Sequence, residues 1–302
     1  MRYYYFKPLN PQYFFPEGFE KFPFFLSFYN PYTFAGKISW WLWRNVKILR
    51  RFVLCDEIEK YIPEKIITSL VGKKALLAFN SGTIGPEQKV TALGVFYESK
   101  EMFFLKYADS PIACQNVQNE RNILEQISYL DFVPNLQNFY SSNNYRLILT
   151  SVLIGDRLSN DPINNELIKI LIEISKLEVS GRDMSDSELR LVFGHGDFCP
   201  WNLIKVNGQI NIYDWEMAGN YPLGYDLFTY IFQTSFLLEP NFPVDSIISD
   251  NKIFIDKYFM LSGIKNWEIY LYDFAKIKIS LEIKKGNSAL LKHYKNILNY
   301  AH

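Results

Sequence analysis

The sequence predicts an α+β fold in two lobes, a small antiparallel β-sheet lobe carrying one helix and then a larger, mainly α-helical lobe. Three observations predict it. A chain of 302 residues exceeds the size at which a single hydrophobic core keeps growing. From about residue 75 to 155, apolar runs of strand length alternate with turn signals around one helix-like stretch. Beyond that region, long stretches of helical periodicity dominate to the end of the chain.

Composition narrows the class. Apolar residues make up 48% and charged residues 21% of the chain, which suits a globular protein and not a disordered one. Lys+Arg and Asp+Glu balance at 32 each, so no global basic field draws in nucleic acid, and none is expected as a partner. Cys55, Cys114 and Cys199 form neither a disulfide framework nor a zinc spacing, which fits a reducing compartment. No segment has the roughly 18 consecutive apolar residues of a membrane span, so a cytoplasmic protein is expected.

Residues 1–69 read as an aromatic-rich N-terminal extension. Residues 1 to 43 hold 18 of the 52 aromatic residues, interleaved with Pro8, Pro11, Pro16, Pro23 and Pro31, which rules out one long helix or one central strand. The next stretch, AGKISWWLWRNVKILRRFVL, is a helix. Its apolar face is read as Ile38, Trp41, Leu42, Val46, Leu49, Phe52 and Val53 around Asn45, and its other face as Trp40, Trp43, Arg44, Lys47 and Arg51. The favoured expectation is that the aliphatic face packs on the sheet and the Trp/Arg/Lys face is solvated. The alternative is an interfacial helix touching anionic lipid at the inner membrane face.

Residues 70–150 form the β-rich lobe. ALLAFNSGT, KVTALGVFYE and FFLKYA are three antiparallel strands, CQNVQNERNILEQI is a helix, and NYRLILTSVLIG is a further strand. Residues 151–302 form the helical lobe, from NNELIKILIEISKLEV onward, interrupted by the β-like LVFGHGDFCPWNLIKVNGQINIYDWE.

That interruption carries the chemistry. LIKVNGQINIY is a hairpin around Asn207-Gly208, because a type I′ turn needs positive φ at both central residues. A two-residue loop sets Val206 against Gln209, Ile204 against Asn211 and Asn202 against Tyr213, so Asn202 and Asp214 emerge side by side at the open end. A carboxamide and a carboxylate oxygen are hard ligands, suited to Mg²⁺ that also holds phosphate oxygens and water. Asp197, five residues before Asn202, then stands where it can accept a proton from an attacking hydroxyl.

These residues resemble the aminoglycoside phosphotransferase and choline kinase family, relatives of the protein kinases. His195-Gly196-Asp197 with Asn202 matches the family's H-G-D-x-x-x-x-N catalytic loop, and Asp214-Trp215-Glu216, with Asp214 twelve residues after Asn202, matches its D-x-E metal motif. The resemblance implies a protein-kinase-like fold, ATP or GTP as co-substrate with Mg²⁺, and phosphoryl transfer to a hydroxyl of a small molecule. It assigns Lys106, in FFLKYA, to the α- and β-phosphates and Glu120, in NERNIL, to orienting that lysine. It gives Asp226, in GYDLF, the task of anchoring the catalytic loop through backbone hydrogen bonds. It also makes Gly82 and Gly85 of NSGTIGPEQK the phosphate-covering turn, short of a full G-x-G-x-x-G. The stretch from Thr150 through Val152 to Leu153 becomes the hinge that meets the base.

His195 enters this set as a residue that holds the loop, since the mechanism asks no proton of it. Glu216 stays open between a second metal contact and a structural acceptor. Cys199 reads as a small buried side chain and not a reactive thiol. The acceptor is read from charge. The last 27 residues hold six lysines and one glutamate, which favours an anionic or sugar-containing acceptor, a glycan or glycolipid intermediate, over a polycationic aminoglycoside or a choline-type amine. A nucleotide-binding pseudokinase or scaffold is the alternative of a different class.

Overall fold

A computed structural model describes residues 2–301 apart from 7–10, 30, 32–33, 47, 49–53, 56, 73, 159–160, 185 and 287–288. The chain divides into two compact units. One comprises Met1–Arg121 with Pro134–Val152, the other Asn122–Val133 with Leu153–His302. This is the two-lobed α+β architecture expected of a protein-kinase-like fold.

The first unit is built on an antiparallel sheet. In chain order its strands are β1 (Tyr3–Phe6), β2 (Tyr13–Pro16), β3 (Leu54–Cys55), β4 (Ala75–Asn80), β5 (Val90–Phe96), β6 (Met102–Ala108), β7 (Leu136–Ser141) and β8 (Arg146–Ser151). In space they run β3-β1-β2-β4-β5-β6-β8-β7. Three strands of this sheet come from residues 1–69, which share one unit with 70–150: β2 pairs Phe14 with Phe79 on β4, and β1 pairs with β2 and β3.

Strand alternation splits the core in two. Leu77 and Phe79 point to one face with Tyr3, Phe14, Phe103 and Leu105, where helix α2 (Glu64–Val71) supplies Ile67 and Val71. Leu76 and Ala78 point to the other, which is covered by Phe6, Phe15, Phe19, Phe25, Trp40 and Trp43. The aromatic excess of the N-terminal segment is therefore the second cover of the sheet, and large rings suit that task because each buries about 150–250 Å².

Helix α1 (Phe34–Asn45) packs the opposite way from the sequence expectation. Trp40 and Trp43 are buried and stacked 5.1 Å apart on Phe6 and Phe15, while Ile38, Trp41 and Leu42 are 45%, 61% and 40% exposed. Two indole rings meeting an aromatic layer bury more apolar area than Ile38 and Leu42 can offer, and the Trp43 indole N–H finds the Tyr5 carbonyl at 3.3 Å. Lys47, Leu49, Arg51, Phe52 and Val53 lie outside the described residues.

Helix α3 (Pro111–Ile127) opens on a proline, whose fixed φ suits a first helical position. In the second unit α4 (Asn165–Ile174) is capped by Asn164, whose side chain accepts from the N–H groups of Glu166 and Leu167. β9 (Asp156–Arg157), β11 (Leu203–Val206) and β12 (Gln209–Ile212) form a small sheet, and β10 (Leu191–Gly194) pairs with β13 (Gly219–Pro222). The remainder is helical: α5 (Tyr225–Phe228), a π-helical turn Thr229–Gln233, α6 (Thr234–Leu238), α7 (Val244–Leu261), α8 (Glu268–Lys285) and α9 (Leu291–Ala301). Phe228, Phe232, Phe259 and Phe274 form the aromatic centre of this part. Among the described residues no helix is long and apolar enough to cross a membrane.

Candidate active site

The β11–β12 hairpin has the register its turn demands. Val206 faces Gln209 and Ile204 faces Asn211, and Asn207 and Gly208 both adopt positive φ. Beyond the paired residues the Tyr213 N–H donates to the Asn202 carbonyl at 3.1 Å, so Asn202 and Asp214 leave the hairpin at the same end. Asp214 sits in the left-handed region (φ 69°, ψ 52°), a conformation that aspartate tolerates better than most residues and that turns the chain into the short 3-10 turn Trp215–Met217.

The loop between β10 and the hairpin is held from below. The Asp226 carboxylate accepts the His195 N–H at 2.6 Å and the Gly196 N–H at 2.9 Å, one on each oxygen. These are the backbone hydrogen bonds that the family pattern implied. Burial pushes the Asp226 carboxyl up from the usual carboxylate range, against the pull of those N–H groups. Gly196 has φ +83°, and a Cβ there would stand 2.3 Å from the Met217 carbonyl, so the loop crosses this point only as glycine.

His195 is wholly buried, and both ring nitrogens serve the backbone. Nε2 lies 3.0 Å from the Tyr213 carbonyl, and Nδ1 accepts the Asp197 N–H at 3.3 Å. A carbonyl only accepts and an N–H only donates, so the imidazole is the neutral Nε2–H tautomer tying the loop to the hairpin.

Asp197 is half-buried and surrounded by donors. Asn202 Nδ2 donates to its backbone carbonyl at 2.9 Å and to its Oδ2 at 3.0 Å. Cys199 Sγ lies 3.7 Å from Oδ1. Burial pushes this thiol well above its ordinary range and the side chain is inaccessible, as a structural cysteine should be.

The donor set suits a hard cation. With Nδ2 of Asn202 engaged, Oδ1 is the atom it can offer, and Asp214 and Glu216 present carboxylate oxygens within 4.8 Å of each other. All three are oxygen ligands of the kind Mg²⁺ takes.

In the other unit, β6 and α3 bring Lys106 and Glu120 together. Nζ to Oε2 is 2.6 Å, and both side chains are nearly fully buried. Gly82 has φ +74°, its N–H donates to Asn80 Oδ1 at 2.8 Å, and a Cβ would stand 2.2 Å from the Lys89 carbonyl. Gly85 has open space around it. Ser110 Oγ donates to the Pro86 carbonyl at 2.7 Å and pins the tip of this loop. Thr150 is buried on β8 between Phe104 and Leu136, and Val152 is the residue at which the first unit ends.

Two side chains near Asp197 were not foreseen. Gln233 Nε2 donates to Asp197 Oδ1 at 2.9 Å, and Lys278 Nζ donates to Gln233 Oε1 at 2.9 Å. They stand 36 and 81 positions from Asp197 in the chain and belong to apolar helical stretches, so no local signal marks them.

Residues 156–244 match the Phosphotransferase enzyme family, a span that includes every residue of the loop and hairpin described above. A comparison with curated proteins finds no match. Among solved structures, an amicoumacin kinase in complex with AMP-PNP, Ca2+ and Ami is similar at 13% identity, over 81% of this chain and 96% of that one, with a TM-score of 0.52. A thermostable mutant of an aminoglycoside phosphotransferase in its apo form is similar at 12% identity, over 79% and 97%, with a TM-score of 0.52. At such identities the likeness is one of fold.

Proposed function

We propose, from the match of residues 156–244 to the phosphotransferase enzyme family, that the chain is a Mg²⁺-dependent small-molecule kinase of that family. It transfers the γ-phosphoryl group of a nucleoside triphosphate to a hydroxyl group. The observation that carries this reading is the grip of Asn202 on Asp197 beside a left-handed Asp214. One carboxylate is thereby aimed for proton abstraction while neighbouring residues present oxygens to a metal.

Asp197 accepts the proton of the acceptor hydroxyl as its oxygen bonds to the γ-phosphorus, and the nucleoside diphosphate leaves with the electrons of the broken P–O bond. Lys106, held by Glu120, places its ammonium on the α- and β-phosphates. Asn202 and Asp214 would hold Mg²⁺, which would supply charge neutralisation on the phosphates. His195 and Asp226 keep the loop in shape and move no proton. Gly82 shapes the turn that covers the phosphates, Gly85 leaves room there, and the backbone from Thr150 to Val152 meets the base. The complex of the similar amicoumacin kinase with AMP-PNP and Ca2+ supports a nucleotide bound with a divalent cation.

The acceptor is a sugar or glycan intermediate of anionic character. Lys276, Lys284, Lys292 and Lys295 are exposed on α8 and α9 and favour such a ligand over a polycationic antibiotic. Lys278 is buried and drops out of that surface charge.

A thermal-shift titration with Mg-ATP and Mg-GTP, each with and without the metal, is the first test. At about a hundredfold excess over Kd, binding adds roughly 2.7 kcal/mol and raises the midpoint by several degrees. The shift is expected to need the metal and to vanish in Asp214→Asn. No shift with either nucleotide would instead favour the scaffold reading.

A second reading concerns where the enzyme works. Phe34, Ile38, Trp41 and Leu42 form an exposed stripe along α1, and residues 34–55 hold Lys37, Arg44, Lys47, Arg50 and Arg51 with no acidic residue. An apolar stripe among cations suits a leaflet of anionic lipid. Vesicles containing phosphatidylserine are expected to sediment the protein, phosphatidylcholine vesicles not, and Trp41→Asp to release it. Equal behaviour towards both vesicles refutes this reading.

A further inference from the structure

Asp197 is gripped from two sides, and only one of them is local. Asn202 holds Oδ2 from within the catalytic loop. Oδ1 is held from the helical part of the unit, by Gln233 Nε2 at 2.9 Å, with Cys199 Sγ at 3.7 Å as a weak further donor.

The orientation of the Gln233 amide is decided by Lys278. An ammonium only donates, so the atom facing it at 2.9 Å is Oε1, and the NH₂ end is left to face the Asp197 carboxylate. Lys278 itself is 5% exposed on α8, its Nζ 5.0 Å from the centroid of the Tyr225 ring and 5.6 Å from that of Phe274. Keeping an ammonium out of water is costly, and the Gln233 Oε1 acceptor and the two aromatic faces are among the groups that offset that cost.

Gln233 is the last residue of the π-helical turn Thr229–Gln233 between α5 and α6. A π turn carries an extra residue, which rotates the downstream helix by about 100° about its axis relative to an unbroken α-helix. Such turns are costly and recur at functional sites.

We propose that Lys278 and Gln233 form a positioning relay that fixes the Asp197 carboxylate for phosphoryl transfer, and so ties the reactivity of the catalytic loop to the seating of helix α8. The relay rests on the reading of Asp197 as the group that takes the hydroxyl proton. Both residues act through Asp197. Their effect is on the fraction of time for which Asp197 points at the attacking hydroxyl, and misplacement of a reacting group by about 1 Å costs up to about a hundredfold in rate.

The test uses the full chain and Mg-ATP, with water as the hydroxyl acceptor and ADP release as the readout. Gln233→Leu and Lys278→Met are each expected to lower turnover by about tenfold or more with Mg-ATP affinity unchanged. The double variant is expected to lose little beyond either single change, because both remove the same hydrogen-bonded chain. Lys278→Arg, which keeps a cation, is expected to retain more turnover than Lys278→Met.

Gln233→Glu separates positioning from packing. Glutamate keeps the size of glutamine and pairs with Lys278, so the variant is expected to melt no lower than the parent. It nevertheless sets a carboxylate against Asp197 and is expected to lose turnover at least as far as Gln233→Leu. Turnover at the parental rate in Gln233→Glu and Lys278→Met, with Mg-ATP bound, overturns the relay and leaves the kinase reading standing. Losses that follow melting temperature across the set, or that multiply in the double variant, also overturn it. A parent protein that neither binds nor hydrolyses Mg-ATP or Mg-GTP refutes the kinase reading, and the relay falls with it.

Discussion

Asp197→Asn is expected to lower phosphoryl transfer by about 10²–10⁴ while leaving the Mg-ATP-induced thermal shift in place. The asparagine keeps the shape of the side chain but cannot take the proton of the acceptor hydroxyl. Its neighbours sharpen the expectation. Asn202 and Gln233 both donate to the carboxylate, and one oxygen of an asparagine still accepts from one of them while its NH₂ meets the other donor head-on. The loop should therefore loosen slightly and stay folded, because its backbone hangs on Asp226 and His195. Turnover and nucleotide affinity must be measured on the same preparation. Loss of both together would mean that Asp197 shapes the nucleotide site, and unchanged turnover would favour a scaffold that transfers nothing.

Lys106→Met is expected to destabilise the β-rich unit by about 3–5 kcal/mol, read from urea unfolding. The lysine and Glu120 lie 2.6 Å apart with side chains 8% and 3% exposed, so the substitution strands a carboxylate away from water. Joining it to Glu120→Leu should recover most of that loss, because an apolar pair of similar volume avoids the desolvation of both ions. Nucleotide affinity should stay low in the double variant. That split separates the two tasks of the pair: stability returns when the charges leave together, and phosphate binding does not. Equal stability of Lys106→Met and the parent would mean that Glu120 finds another cation or takes a proton at little cost.

Much of the candidate site was legible because its parts are close in sequence and each carries a local constraint. Asn207-Gly208 dictates a turn through its φ angles alone, and the register of β11 and β12 follows from that turn. With the register set, the distances in sequence from Asp197 to Asn202 and from Asn202 to Asp214 decide which side chains leave the hairpin together. Lys106 and Glu120, 14 residues apart on a strand and the helix next to it, follow from the family resemblance alone, because neither carries a local constraint of its own.

The N-terminal strands leave little mark in the sequence for a physical reason. β1 and β2 are four residues each, Pro16 closes the second, and their aromatic side chains go to both faces of the sheet, so neither length nor alternation marks them. Helix α1 is legible as a helix, but its buried face is not. Its periodicity offers two apolar stripes, and only the aromatic layer of Phe6, Phe15 and Phe19 selects Trp40 and Trp43 over Ile38 and Leu42.

By itself the sequence determined the two-lobe α+β order, the hairpin register and the composition of the loop from His195 to Asn202, since dihedral preferences and short-range hydrogen bonds depend on neighbouring residues. Only the tertiary structure decided that the aromatic segment completes the sheet, which face of α1 is buried and that Lys278 and Gln233 close on Asp197. Those outcomes depend on which surfaces the folded chain brings together, and a contact across 36 or 81 residues leaves no periodicity in the sequence to reveal it.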